Sequence, residues 1–181
     1  MQPKILALSK TQSISLIQFG TLLAISLLAP FFHFQPITGP IVNACLFIAT
    51  AILGVQAGIM LGLLPSLVAL SVGTLPTPLA PMVPFIMASN AILVVVFAWC
   101  QTSVRHMSDT VKFGVAVVMA SILKFLFLFS TSYIVIHLIA QKPIAQKAAT
   151  MMSWPQLTTA LLGGLIAFVF LKLTFDQKKV K

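Results

Sequence analysis

QPITGPIVNACLFIATAILGVQAGIMLGLLPSLVALSVGTLPTPLAPMVPFIMASN, residues 35–90, contains no Asp, Glu, Lys, Arg or His. Two short apolar segments lie back to back within it, joined at Gly54-Val55-Gln56, and proline- and glycine-rich stretches at 36–40 and 73–84 frame them. Long apolar runs without strict alternation fit helices in lipid better than barrel strands. Unpaired backbone groups are costly in hydrocarbon, so helices and closed barrels are the spanning structures available. The stretch therefore predicts an all-α integral membrane protein whose helices carry stiff, shaped loops.

The rest of the chain agrees. Of 181 residues, 59% are hydrophobic and 7% charged, with a mean hydropathy of +1.08. A soluble domain carries about a quarter charged residues, so too little polar surface remains here to face water. At about 20 residues per span, the length fits a single six-helix transmembrane domain covering 1–181. The expected spans are 12–31, 39–54, 56–72, 81–101, 111–139 and 155–175. Lys4 and Lys10 precede the first apolar run much as in a signal peptide. That run is long, lacks a clear A-x-A site and is followed by more spans, so it reads as a retained first helix.

The net charge is +9. Its basic residues cluster at the ends of apolar runs, which fits topology and lipid headgroups rather than nucleic acid. With the N-terminus inside, the inner side collects Lys4, Lys10, Arg105, Lys112, Lys172, Lys178, Lys179 and Lys181, and the outer side Lys142 and Lys147. The positive-inside rule then puts both termini in the cytoplasm. The outer loops become 32–38, 73–80 and 140–154. Cys45 and Cys100 lie inside apolar runs without metal or redox spacing and read as packed thiols.

Lys124, near the middle of the fifth span, has no carboxylate at matching depth. A charge there costs several kcal/mol unless something answers it. It can snorkel, be deprotonated, meet a partner subunit, or face a cavity and an anionic ligand. Asn90 lies at similar depth and Asn43 in the outer half of the second span. Each either bonds a neighbouring helix or lines a pocket with Lys124. Ser130, Ser132 and Tyr133 follow Lys124 outward, as back-bonded hydroxyls or as a polar cavity wall. Trp154, Pro155 and Gln156 open the last span, Trp154 as an interface anchor or as a stacking platform for a flat ligand. His33, His106 and His137 have no metal spacing; His33 and His137 fall towards the outer face. No metal or cofactor is expected.

The spans carry no carboxylate, no Ser/His/Asp set, no HExxH and no Walker A motif. The chain is not expected to be an enzyme, and any ATP use belongs to a partner. A membrane scaffold or assembly protein and a self-contained small carrier remain as alternatives. A carrier usually shows inverted repeats or coupling-ion carboxylates, and neither is visible.

ITGPIVNACLFIATAILGVQAGIMLGLLPSLVALSVGTLPTPLAPMVPFIMASNAI, with KFLFLFSTS and MMSWPQL further on, resembles a subgroup of the bacterial S components, the substrate-binding membrane subunits of energy-coupling factor (ECF) transporters. The resemblance covers roughly residues 15–172. It implies capture of a vitamin-like or other small micronutrient at the outer face of the bacterial cell membrane. Delivery inward would then proceed with a T component and two ABC ATPase subunits. The residues read above, Lys124, Asn90, Asn43, Ser130, Tyr133, Trp154 and Gln156, are the expected substrate contacts. His33, Gln35, Thr38, Pro76, Pro78 and Pro81 would form gating loops. The family's small-residue stripe on the first helix, which meets the T component, falls here on Gly20-x-x-x-Ala24 with Ala29 beyond. The family's metal branch begins with a Met-His segment, whereas this chain begins MQPK, which disfavours nickel or cobalt. A carboxylate, a phosphate or a flat heterocycle suits Lys124, Asn90 and Trp154.

Overall fold

A computed structural model describes residues 10–103, 107–139 and 150–176, and seven α-helices are delimited among them. They are α1 Lys10–Leu28, α2 Gln35–Leu53, α3 Val55–Leu63, α4 Pro65–Ser71, α5 Val83–Ser103, α6 Asp109–Ile139 and α7 Trp154–Asp176. Short 3-10 helices follow α1 at Ala29–Phe32 and precede α5 at Thr77–Met82. No strand occurs among the described residues. Lys4, Arg105, His106, Lys142, Lys147, Lys178, Lys179 and Lys181 lie outside them, as do the side chains of Pro78 and His137.

Five stretches are long and apolar enough to cross a membrane, one each from α1, α2, α5, α6 and α7. The expected third span differs. Val55–Ser71 is shorter and breaks between Leu63 and Pro65, giving α3 and α4. A proline inside a helix removes one ladder hydrogen bond and clashes with the carbonyl four residues back, so the run bends at Leu64 instead of continuing. At 1.5 Å per residue the pair would extend only about 25 Å even if straight, against a hydrocarbon core of about 30 Å.

The second span also starts earlier than expected, at Gln35 instead of 39. Residues 36–40 form the opening of α2 and not a loop. Pro36 sits in the first turn, where a missing N–H costs nothing, and the Phe34 carbonyl accepts from the backbone N–H groups of Ile37 and Thr38. The helix then runs to Gly54, whose φ of +93° reverses the chain in one residue. Side-chain-bearing residues rarely adopt that conformation, so the Gly54 joint is a glycine for a backbone reason.

The α2 helix lies centrally and packs on α1, α3, α5 and α7; α6 packs on α5 and α7. An edge-to-face aromatic row, Phe47–Phe97–Phe113, fills the interior with centroid spacings of 5.0 and 5.2 Å. Cys45 and Cys100 are free thiols buried in this core. A second, smaller core of Leu75, Leu79, Met82, Val83, Leu128 and Met152 gathers the loop between α4 and α5 against α6 and the approach to α7. This roof closes one end of the bundle, where α1 and α4 finish and α2, α5 and α7 begin.

Candidate functional site

Lys124 is 3% exposed. Its helical phase makes that unavoidable: Val117, Ala120, Ser121 and Leu128, at one- and two-turn offsets along α6, are all buried too. The Nζ donates to Asn43 Oδ1 at 2.7 Å and to Asn90 Oδ1 at 2.8 Å. Asn90 in turn donates through Nδ2 to the Gly62 carbonyl at 2.8 Å. That second bond fixes the amide orientation, because a carbonyl accepts only from the nitrogen. One cation is thus met by two neutral oxygens, and the network joins α2, α3, α5 and α6.

Two glycines let the helices come close enough. A Cβ on Gly62 would lie 3.0 Å from Asn90 Cβ, and one on Gly163 of α7 would lie 2.6 Å from Asn43 Cβ and 2.8 Å from the Pro40 carbonyl. Each asparagine therefore has a glycine against its own Cβ.

The network opens on a cavity of about 110 Å³ under the roof. Lys124, Asn43, Asn90 and Gln156 line it, with Gln35 and Thr38 from the first turn of α2. Gln156 donates through Nε2 to the Met151 carbonyl at 3.1 Å, which leaves its Oε1 as an acceptor. Thr38 ties α2 to the end of α1 by donating to the Ala29 carbonyl at 3.0 Å. Thr74, also on the wall, donates to the Pro30 carbonyl at 2.7 Å and pins the roof loop to the same place.

Other residues singled out in the sequence lie elsewhere. Tyr133 is 62% exposed and Ser130 faces outward beside it; neither lines the cavity. Ser132 is buried but donates to the Phe129 carbonyl. Trp154 is 68% exposed and stacks on Phe125 with centroids 5.6 Å apart, outside the cavity. His33 is exposed in a left-handed conformation, φ +51°, as the cap of the first 3-10 helix. Pro76 and Pro81 belong to the roof without lining the cavity, whereas their neighbours Thr74 and Leu75 do. On α1, Gly20 and Ala24 share an exposed face, and Ala29 is buried.

Sequence reasoning missed Ser66, Met151 and Met152, all on the cavity wall. The signal for Ser66 was available: it follows Pro65, at the break in the apolar run. The methionines stand just ahead of Trp154 in MMSWPQL and look like ordinary filling.

Residues 15–174 match the family described as ECF transporter, substrate-specific component. No curated protein and no solved structure matches the chain. That family is one of transport substrate-binding components, not enzymes. A helical chain with spanning-length apolar segments and a lysine-bearing cavity at one end fits such a component. With nearly its whole length matched, this multi-pass membrane protein belongs to the ECF transporter substrate-specific component family.

Proposed function

We propose that the chain is the substrate-capturing subunit of an ECF-type ABC importer in a bacterial cell membrane. It takes a vitamin-like or similar small micronutrient into the Lys124 cavity from the outer face. It passes the cargo inward together with a T component and two ATPase subunits, which hydrolyse the ATP. The observation that carries this reading is the buried Lys124–Asn43–Asn90 network opening on a cavity under a loop roof. A purely structural lysine has no use for that space.

In this reading the ligand meets Lys124, Asn43, Asn90 and Gln156. The loop from Val72 to Met82 is the gate, held by Thr74, and Gln35 and Thr38 form the fixed opposing rim. The bias of basic residues supports a topology with both termini in the cytoplasm and the roof outside. Gly20 and Ala24, open on the outer face of α1, offer the small surface on which a T component's helix would dock.

The test is purification of the full chain from its host membrane, alone and with tagged T and ATPase subunits, followed by native mass spectrometry. The expected result is a small molecule bound to the chain and a complex containing all the subunits. A chain that carries no ligand and recruits neither subunit would sink the proposal.

A further inference from the structure

The cavity wall has an asymmetric chemistry. It holds one cation, Lys124, while no acidic, histidine or aromatic side chain is among the described residues that line it. The apolar part of the wall is aliphatic and thioether: Val42, Leu75, Ile86, Met151 and Met152. Flat heterocycles are usually gripped by aromatic faces. The one tryptophan nearby in sequence, Trp154, is occupied with Phe125 outside the cavity.

The polar atoms can be sorted by what they have left. Lys124 uses two of its three ammonium N–H groups on Asn43 and Asn90. Asn43 spends its oxygen on Lys124, so its amide N–H groups remain to offer. Gln156 spends its nitrogen, so its oxygen remains. Ser66 is the unusual one. Serines and threonines elsewhere in these helices donate to a carbonyl three or four residues back, as Ser26, Thr50, Ser89 and Thr159 do. Ser66 Oγ is buried with no partner. Ser121 Oγ shares that state, but only Ser66 lines the cavity. A buried hydroxyl left unpaired beside a cavity marks a place for a group the protein does not itself supply.

Resting on the reading that this cavity holds the transported molecule, we propose its class: a compact, non-aromatic monocarboxylate that also carries a hydroxyl or amide. The carboxylate meets Lys124 and Asn43. The second polar group meets Ser66, and the aliphatic body lies along the methionines and Leu75. A phosphate ester fits less well. It wants several donors converging on three oxygens, commonly an arginine fork or backbone N–H groups, and the described wall offers a single cation and no arginine.

The test uses the full-length protein in detergent, with its co-purifying molecule first extracted and identified by negative-ion mass spectrometry. Binding is then measured for 4-acetamidobutanoate, its neutral counterpart 4-acetamidobutanamide, hexanoate, nicotinate and butyl phosphate, on the native chain and on Ser66→Ala. The extracted molecule should be an aliphatic carboxylate. 4-Acetamidobutanoate should bind tightest of the probes, and the neutral counterpart at least about tenfold more weakly, as expected for losing a charge-assisted hydrogen bond. Ser66→Ala should weaken 4-acetamidobutanoate about three- to tenfold and leave hexanoate unchanged. An aromatic or phosphorylated cargo overturns the class, as does equal binding of the neutral amide or indifference to Ser66→Ala; the importer reading survives each of these. No co-purifying molecule and no binding from any probe overturns both.

Discussion

Asn90 holds Lys124 with one end of its amide and the Gly62 carbonyl with the other, at 2.8 Å each. Shortening it to alanine removes an acceptor from a buried cation and a donor from a buried carbonyl together. Asn90→Ala should cost about 2–4 kcal/mol of stability, since breaking a buried charged network leaves its partner uncompensated. Thermal melting in detergent reads this directly. Removing the charge as well, in Lys124→Met with Asn90→Leu, should recover part of the loss. A double variant less stable than Asn90→Ala would refute the view that the asparagine solvates the lysine.

Lys124→Met alone separates stability from recognition. The melting temperature should change little, because relief from burying the ammonium is offset by two buried amide oxygens left without a donor. Affinity for the co-purifying ligand should fall at least about tenfold. Unchanged affinity by calorimetry would remove the lysine from the binding site.

Gly163 and Gly114 make a matched pair. A Cβ at Gly163 meets Asn43 Cβ and the Pro40 carbonyl, whereas one at Gly114 meets nothing within 4 Å. Gly163→Ala should cost about 1–3 kcal/mol by forcing α7 from α2 and should weaken ligand binding through the displaced Asn43. Gly114→Ala should do neither. Comparing melting curves and affinities of the two variants tests whether close approach at Asn43 positions the site.

Thr74 fastens the roof to the end of α1 through its bond to the Pro30 carbonyl. Thr74→Val keeps the shape and removes the donor. If the loop from Val72 to Met82 gates the cavity, ligand dissociation should accelerate about three- to tenfold, the worth of one ordinary hydrogen bond. Stopped-flow release measures it, and an unchanged off-rate would mean that the cavity empties by another route.

Gly20 and Ala24 lie one turn apart on the open face of α1. Replacing either with leucine adds bulk on a face that the described residues leave open. Ligand affinity should be unaffected while recovery of the T component in a pull-down drops sharply. Intact recovery would move the docking surface elsewhere.

Much of the bundle was legible because apolar runs and their polar flanks report helix extent directly. The Lys124–Asn90 association was legible too: a buried cation without a carboxylate must find neutral oxygens, and few exist at that depth. What escaped was local. Pro36 looks like a loop residue until one notes that a proline in the first helical turn sacrifices little, and Pro40 lies inside α2 despite the ladder hydrogen bond it forfeits. Pro65 lies in an apolar run that hides its break.

The misjudged grouping of Tyr133 with Lys124 has a geometric cause. Nine residues are two and a half turns, so the tyrosine emerges on the opposite side of α6. Trp154 stands two residues from Gln156, again on roughly opposing faces. Position along the helix was weighed from the sequence in these cases, and azimuth was neglected.

The ammonium of Lys124 belongs structurally to four helices at once, whereas Ser66, Leu75, Met151 and Met152 answer to a helix break, a roof loop and the approach to α7. The junction that holds the bundle and the wall beside it are therefore separable features. On the proposed reading, anchoring a cargo and choosing it are tasks of different parts of the chain, so a change at Ser66 alters what the cavity accepts and leaves the four-helix junction in place.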